Sequence, residues 1–254
     1  MKRILNAQTS PIDDRDYVAN DIVEAINLPT SYEAQPTKIL NQGSVGSCVA
    51  HAISSAMMSQ EKNTIGNNNY YSVGFIYANR AEDDYQGKGI ILREALKQLH
   101  KCGDVLHEDF PYNIEYPKIK SKLTDDLYDK ALPYKIQNYF RCNTIDEIKR
   151  TIMTRGGVIV LSPVYGDLKK YTDAPKENDK KIGSHVMLIV GWTEDDYWIV
   201  QNSWGKYWQG NGKFFMSFDY PNYEYWGITI SKNEIKTKKK WYVQIWEFIV
   251  KLFS

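Results

Sequence analysis

Residues 41–58 read Asn-Gln-Gly-Ser-Val-Gly-Ser-Cys-Val-Ala-His-Ala-Ile-Ser-Ser-Ala-Met-Met, and the reading of this stretch decides the rest of the chain. Gly43 and Gly46 loosen the backbone ahead of Ser47. From Cys48 to about Gln60 the sequence is rich in Ala, Met and Ser and holds neither Gly nor Pro, which predicts a helix. Cys48 then falls in the first helical turn. There the unpaired N–H groups and the positive end of the helix dipole stabilise an anion, which lowers a thiol's pKa and raises its thiolate fraction. Taken alone, the same cysteine reads first as a small buried hydrophobe opening a core helix.

Two later stretches reverse that reading. Gly183-Ser184-His185 leads into the apolar run 186–190, and residues 197–200 lead into Gln201-Asn202-Ser203-Trp204-Gly205. A cysteine at a helix start, a histidine at a strand start and an asparagine at a strand end form the set that a Cys-His-Asn nucleophilic site requires. These residues resemble the papain-like cysteine proteases, whose signature C-G-[SA]-C-[WY] is followed by His and Asn about 130–150 residues on. Here the core is V-G-S-C-V, with His185 137 residues and Asn202 154 residues beyond Cys48. The Gln-Gly-Ser lead-in at 42–44 and the Asn-Ser-Trp-Gly block at 202–205 also look like the family's, and the resemblance covers residues 35–230.

The resemblance implies an α+β, papain-like two-lobed fold, with a helical lobe carrying the nucleophile and an antiparallel β-barrel-like lobe carrying His and Asn. The implied division is an extended N-terminal segment at 1–34, the helical lobe at 35–130, the β lobe at 131–235 and a basic-amphipathic C-terminal helix at 236–254. It implies thiol endopeptidase activity on polypeptide through a thioester acyl-enzyme. Cys48 is then the nucleophile, His185 the acid and base, Asn202 the group that orients His185, and Gln42 with the Cys48 N–H the donors to the developing oxyanion. Trp204 would cover the His185–Asn202 hydrogen bond. Gly46, Gly87, Gly89, Leu161 and Ser184 are matched to the substrate cleft, and small, neutral Ser184 favours an apolar or small side chain in the second pocket. Two departures, Val45 for the family's cysteine and Val49 for its aromatic, leave the reacting groups intact but remove the usual bridge. They place the chain nearer to divergent microbial or viral relatives. Two other functions fit the same residues: an acyl transferase or amidase acting on a non-protein substrate, and a binding protein on the same scaffold.

Composition narrows the field. In 254 residues, 32 Lys and Arg nearly balance 31 Asp and Glu, so no global field favours nucleic acid. Three cysteines, Cys48, Cys102 and Cys142, are too few for a secreted disulfide scaffold. Together with a start that lacks the apolar stretch of a signal peptide, they suggest a cytoplasmic or other reducing compartment. No cofactor or metal is expected. His51, three residues after Cys48 on the same helical face, offers a Cys-x-x-His pair, yet no further ligands stand at sensible spacing. His100 and His107 read as solvated residues flanking a helix end.

Along the chain, residues 1–34 read as an extended lead with a short helix at 22–26, lying across the surface or occupying the cleft. Leu92, Ala95, Leu96 and Leu99 make a helical face ended by Gly103, and 116–131 reads as a charged connection. Strands are expected at 134–140, 158–164, 186–192, 197–201 and 213–218, with a helix at 144–154. The tail at 236–254 carries lysines and then a broad apolar face including Trp241 and Trp246. It is too short to span a bilayer but suits peripheral membrane contact, or packing on a partner helix or its own β lobe.

Overall fold

The computed structural model describes residues 3–81, 89–112 and 118–230. The expected tail helix and Gly87 lie outside these. Helix α1, Cys48–Ile65, is the axis of the molecule, and residues 48–61 are buried on every face. Its apolar and small residues pack all round, and its polar ones are hydrogen-bonded: Ser54 to the Tyr71 carbonyl, Ser59 to the Gly156 carbonyl, Gln60 from the Ile230 N–H and Glu61 from Asn69. Gly66 ends it in the left-handed region, at φ 76°. Around it lie α2, Val73–Ala78, capped by Ser72, and α3, Leu92–Cys102, closed by Gly103 at φ 80°. The segment read as a connection contains a further helix, α4, Asp125–Ala131, capped by Thr124 with two acidic residues in its first turn.

The other lobe is a sheet of β1 (Tyr17–Val18), β2 (Tyr32–Glu33), β3 (Ile136–Arg141), β4 (Val158–Tyr165), β5 (Tyr171–Thr172), β6 (Lys181–Trp192), β7 (Tyr197–Gln201), β8 (Lys213–Ser217) and β9 (Glu224–Ile230). Its order among the described residues is β1-β3-β9-β4-β6-β7-β8-β5, with β2 also paired to β6. The pairing is antiparallel except for β1 with β3 and β5 with β8. Helix α5, Ile145–Arg155, opens with a capping box between Thr144 and Glu147. Residues 22–26 are not helical; a single 3-10 turn, Ala19–Asp21, precedes them, because nothing caps a longer helix there.

Strand side chains alternate between two cores. Ile159 and Leu161 of β4, with Val186, Leu188 and Val190 of β6, pack with Cys48, Ile53 and Met57 of α1. Val158, Val160, Met187 and Ile189 pack on the opposite face with Ile148 and Ile152 of α5. Both faces of β4 and β6 are therefore covered, and their sequences read as continuous apolar runs rather than alternating ones. All three cysteines are free thiols. No described helix is long and apolar enough to cross a membrane.

Candidate active site

Cys48 is the first residue of α1, and Ser47 before it makes no side-chain cap to the helix. The Cys48 and Val49 backbone N–H groups of the first turn face the Cys48 sulfur. The sulfur lies within hydrogen-bond reach of the Val186 backbone, next to His185 on β6. Asn202, just past the end of β7, faces the His185 ring, with Nε2 2.9 Å from Oδ1. Oδ1 also accepts the Ser203 N–H at 2.8 Å, so it is an acceptor and Nε2 must carry the proton. Nδ1 is left bare, buried and without a hydrogen-bond partner. Trp204 lies flat against the same ring, centroids 5.0 Å apart and planes 24° apart, and Trp208 meets Trp204 edge-on.

Gln42 is fully buried and reaches this group from the loop before α1. Its Oε1 accepts from Ser203 Oγ at 2.6 Å and its Nε2 donates to the Val45 carbonyl at 2.9 Å, which fixes the amide's orientation and leaves one N–H over. Ser203, quoted in the Asn-Ser-Trp-Gly block but given no role from sequence, is the residue that sets this orientation. The Gln42 N–H donates to the Ser203 carbonyl, and Gly205 N–H to the Leu40 carbonyl, so the two loops are joined along their backbones.

The N-terminal segment runs along the group. Arg3 stacks on Trp204, its guanidinium carbon 3.9 Å from the ring centroid. The Leu5 carbonyl accepts the Ser184 N–H at 3.0 Å, and the Gln8 N–H donates to the Ile90 carbonyl at 3.1 Å. Asn6 bridges to Ser184 and Gln8 to Ile91, both parallel. Leu5 packs against one core and Ala7 belongs to the other. Glycines admit the chain: a Cβ at Gly46 would stand 2.7 Å from Asn6 Oδ1, and one at Gly89 would overlap the Asn6 carbonyl. Beyond this the segment is tied down. Ser10 N–H donates to Glu224, Ser10 Oγ accepts from the Arg93 N–H at 3.2 Å, and Asp16 meets Arg93 at 3.2 Å and Arg141 at 2.9 Å.

Residues 3–8 thus run beside Gly46, Gly89 and Ser184. Leu161 is fully buried in the core around Cys48. Enclosure sets the electrostatics. Burial pushes the Cys48 thiol up to about 11, against the Val186, Val49 and Cys48 backbone, and pushes His185 down to about 4, with Asn202 opposing and Arg3 adding to the fall. Each shift runs against the charged form, because burial leaves an ion without water.

His51 is buried and pushed down to about 4, chiefly by burial. Among the described residues no three His, Cys, Asp or Glu side chains gather as a metal site. His100 and His107 are not merely solvated: His100 Nδ1 bonds the Ile136 carbonyl at 3.1 Å, and His107 stacks on Tyr70 at 4.0 Å.

The fold is α+β, with a cysteine at the head of the buried helix α1 and the His185–Asn202 pair on the sheet. Residues 27–231 match the model of the papain family cysteine proteases, and the chain belongs to that family. It is 29% identical over 221 residues to an uncharacterized peptidase C1-like protein of Acanthamoeba polyphaga mimivirus, covering 79% of this chain and 69% of that one. It is 28% identical over 208 residues to a cysteine protease of Blomia tropicalis, covering 74% of this chain and 60% of that one. Among solved structures it is similar to xylellain, a cysteine protease from Xylella fastidiosa, at TM-score 0.75 and 25% identity, covering 90% of this chain and 98% of that one. The fold also matches procathepsin B S9 from Trypanosoma congolense at TM-score 0.69 and 19% identity, over 89% of this chain and 86% of that one.

Proposed function

We propose that this chain hydrolyses peptide bonds through Cys48, His185 and Asn202, with Gln42 and the Cys48 N–H receiving the oxyanion. The observation that carries the reading is the His185 ring: Nε2–H is held by Asn202 Oδ1, so the bare Nδ1 is the nitrogen left to take a proton from Cys48. On attack, sulfur bonds to the carbonyl carbon and charge moves onto oxygen. His185 then returns the proton to the leaving amine as the C–N bond breaks, and water cleaves the thioester by the reverse proton path. The spare N–H of Gln42 and the first-turn N–H of Cys48 are the donors available to that oxygen.

On this reading an extended polypeptide takes the backbone groups of Ser184 and Ile90 that now bind residues 5–8, with Gly46 and Gly89 giving it room. The described form is on this reading a latent one. Residues 3–8 must leave before substrate enters, and water entering with the opening lowers the thiol pKa and raises that of the imidazole.

Digestion of a mixed peptide library, read by mass spectrometry beside Cys48→Ala, tests this. Internal cuts lost in the variant are expected; cuts that persist in Cys48→Ala overturn the reading. An added amine acceptor in the same digest separates hydrolysis from acyl transfer, since only transfer joins the amine to the new C-terminus.

A further inference from the structure

His51 has no part in the proton path above, yet its imidazole sits beneath the loop that carries Gln42. Nδ1 is 2.9 Å from the Ser47 carbonyl and 3.2 Å from Ser47 Oγ. A carbonyl only accepts, so Nδ1 bears the proton. Ser47 Oγ is 2.8 Å from Tyr112 Oη, and Tyr112 Oη donates to the Gln42 carbonyl at 3.4 Å. That last acceptor is again a carbonyl, so the chain has one consistent direction: His51 Nδ1–H to Ser47, Ser47 O–H to Tyr112, Tyr112 O–H to the backbone of Gln42. The Tyr112 ring also meets the imidazole edge-on at 4.9 Å. The Asn41 backbone faces the same ring. The chain thus touches Asn41, Gln42 and Ser47, both ends of the loop that precedes the cysteine.

We infer that His51 is a positioning residue for the oxyanion site, acting through Ser47 and Tyr112 on the loop 41–47. The inference rests on the reading of Gln42 and the Cys48 N–H as oxyanion donors. His51 does not touch the reacting atoms. Its proton sets the direction of a buried chain whose far end holds Gln42, while Ser203 aims that residue's amide from the other side. Ser47 Oγ is drawn into this chain and makes no cap to α1. An apolar ring at position 51 would fill the space and remove the donor. Ser47 Oγ would then lose its orientation, and the Gln42 amide its fixed distance from the sulfur.

The test separates chemistry that builds an oxyanion from chemistry that does not. Cys48 is alkylated by iodoacetamide through displacement at a saturated carbon, with no oxyanion, whereas hydrolysis of a short peptide p-nitroanilide needs one. Both rates are measured on the full chain, and their ratio is compared among wild type, His51→Phe, His51→Gln, Tyr112→Phe and Gln42→Ala. For Gln42→Ala the ratio should fall about 10²–10³-fold, as for loss of one oxyanion donor. For His51→Phe and Tyr112→Phe it should fall roughly 10- to 100-fold, carried by kcat with KM little changed, the range expected of a displaced catalytic group. His51→Gln, which keeps an N–H for the Ser47 carbonyl, should recover most of the loss. Tyr112 is only half-buried and lies outside α1, so its variant serves if His51→Phe does not fold.

An unchanged ratio in both His51→Phe and Tyr112→Phe, with Gln42→Ala still impaired, overturns the inference alone. So does an equal fall of both rates. An unimpaired Gln42→Ala, or a wild type that is alkylated but hydrolyses nothing, removes the oxyanion reading itself and this inference with it.

Discussion

Two buried histidines, His51 on the helical side and His185 on the sheet side, share a net electrostatic environment and differ in one bond. Burial pushes both down to about 4, and each feels unfavourable charge from elsewhere: His185 from Arg3, and His51 from His185. At His51 the protonated Nδ1 points at Ser47, and the hydrogen-bond chain runs on to Tyr112. At His185 the protonated Nε2 points away, at Asn202, and the bare Nδ1 remains. On the roles proposed above, depth and pKa do not distinguish a base from a brace. The atom left unbonded does.

Removing each ring should give the sharpest contrast. His185→Ala is expected to lower kcat by about 10⁴–10⁶-fold, as loss of a nucleophile's base does. A His185→Ala loss no larger than that of His51→Phe, in single-turnover assays, would erase the distinction.

The next largest effect concerns what covers only one of the two rings. Deleting residues 1–8 takes away the Ser184–Leu5 bond and the Arg3 stack but leaves the His51 chain intact. The kcat/KM for a peptide should rise more than about tenfold if the cleft is open less than a tenth of the time. The pH profile of Cys48 alkylation should also move to lower pH, because restored water favours the thiolate. No change in either would mean that residues 3–8 do not govern access.

Stability should respond to both rings. Each imidazole has a folded pKa of about 4 against 6.5 in its ordinary state. Between those values the unfolded chain takes up a proton that the native chain refuses, so stability falls as pH drops from about 6.5 to 4 and is undiminished above that window. The two contributions together are on the order of a few kcal/mol. His51→Phe should halve the acid dependence of the denaturant midpoint, and an unaltered slope would show that its ring is not held neutral. The smallest expected change belongs to Arg3→Ala: a modest rise of the His185 pKa by NMR titration, with His51 unmoved.

The stretch around Cys48 was legible because its information is local. A Gly-flanked turn, a run without helix breakers and a cysteine at its head specify a helix start wherever they stand. The runs on β4 and β6 were legible as apolar stretches, and residues 144–154 as a helix. Other features were not. Residues 116–131 looked like a charged connection because α4 presents mostly acidic and basic side chains, burying only Leu127 and Ala131. β9 escaped notice because Gly227 interrupts its pattern; that glycine is required by Phe140, whose ring occupies the place of a Cβ.

At the candidate site the residues themselves could be named from type, order and spacing: Gln42, Cys48, His185 and Asn202. Their chemical state could not. A helix start favours a thiolate by local electrostatics, yet the enclosed thiol is pushed up to about 11, because desolvation depends on which distant segment lies over it. Residues 3–8 are separated from Ser184 by most of the chain and meet it through a backbone hydrogen bond, which carries no side-chain signature. The role inferred for His51 likewise depends on Tyr112, 61 positions away, and on the direction in which three hydroxyl and ring protons must point. The sequence by itself determined which groups are available, since side-chain chemistry and helix position are local properties. Only the tertiary structure decided which are paired, which are bare and which are covered, since these follow from contacts between residues far apart in the chain.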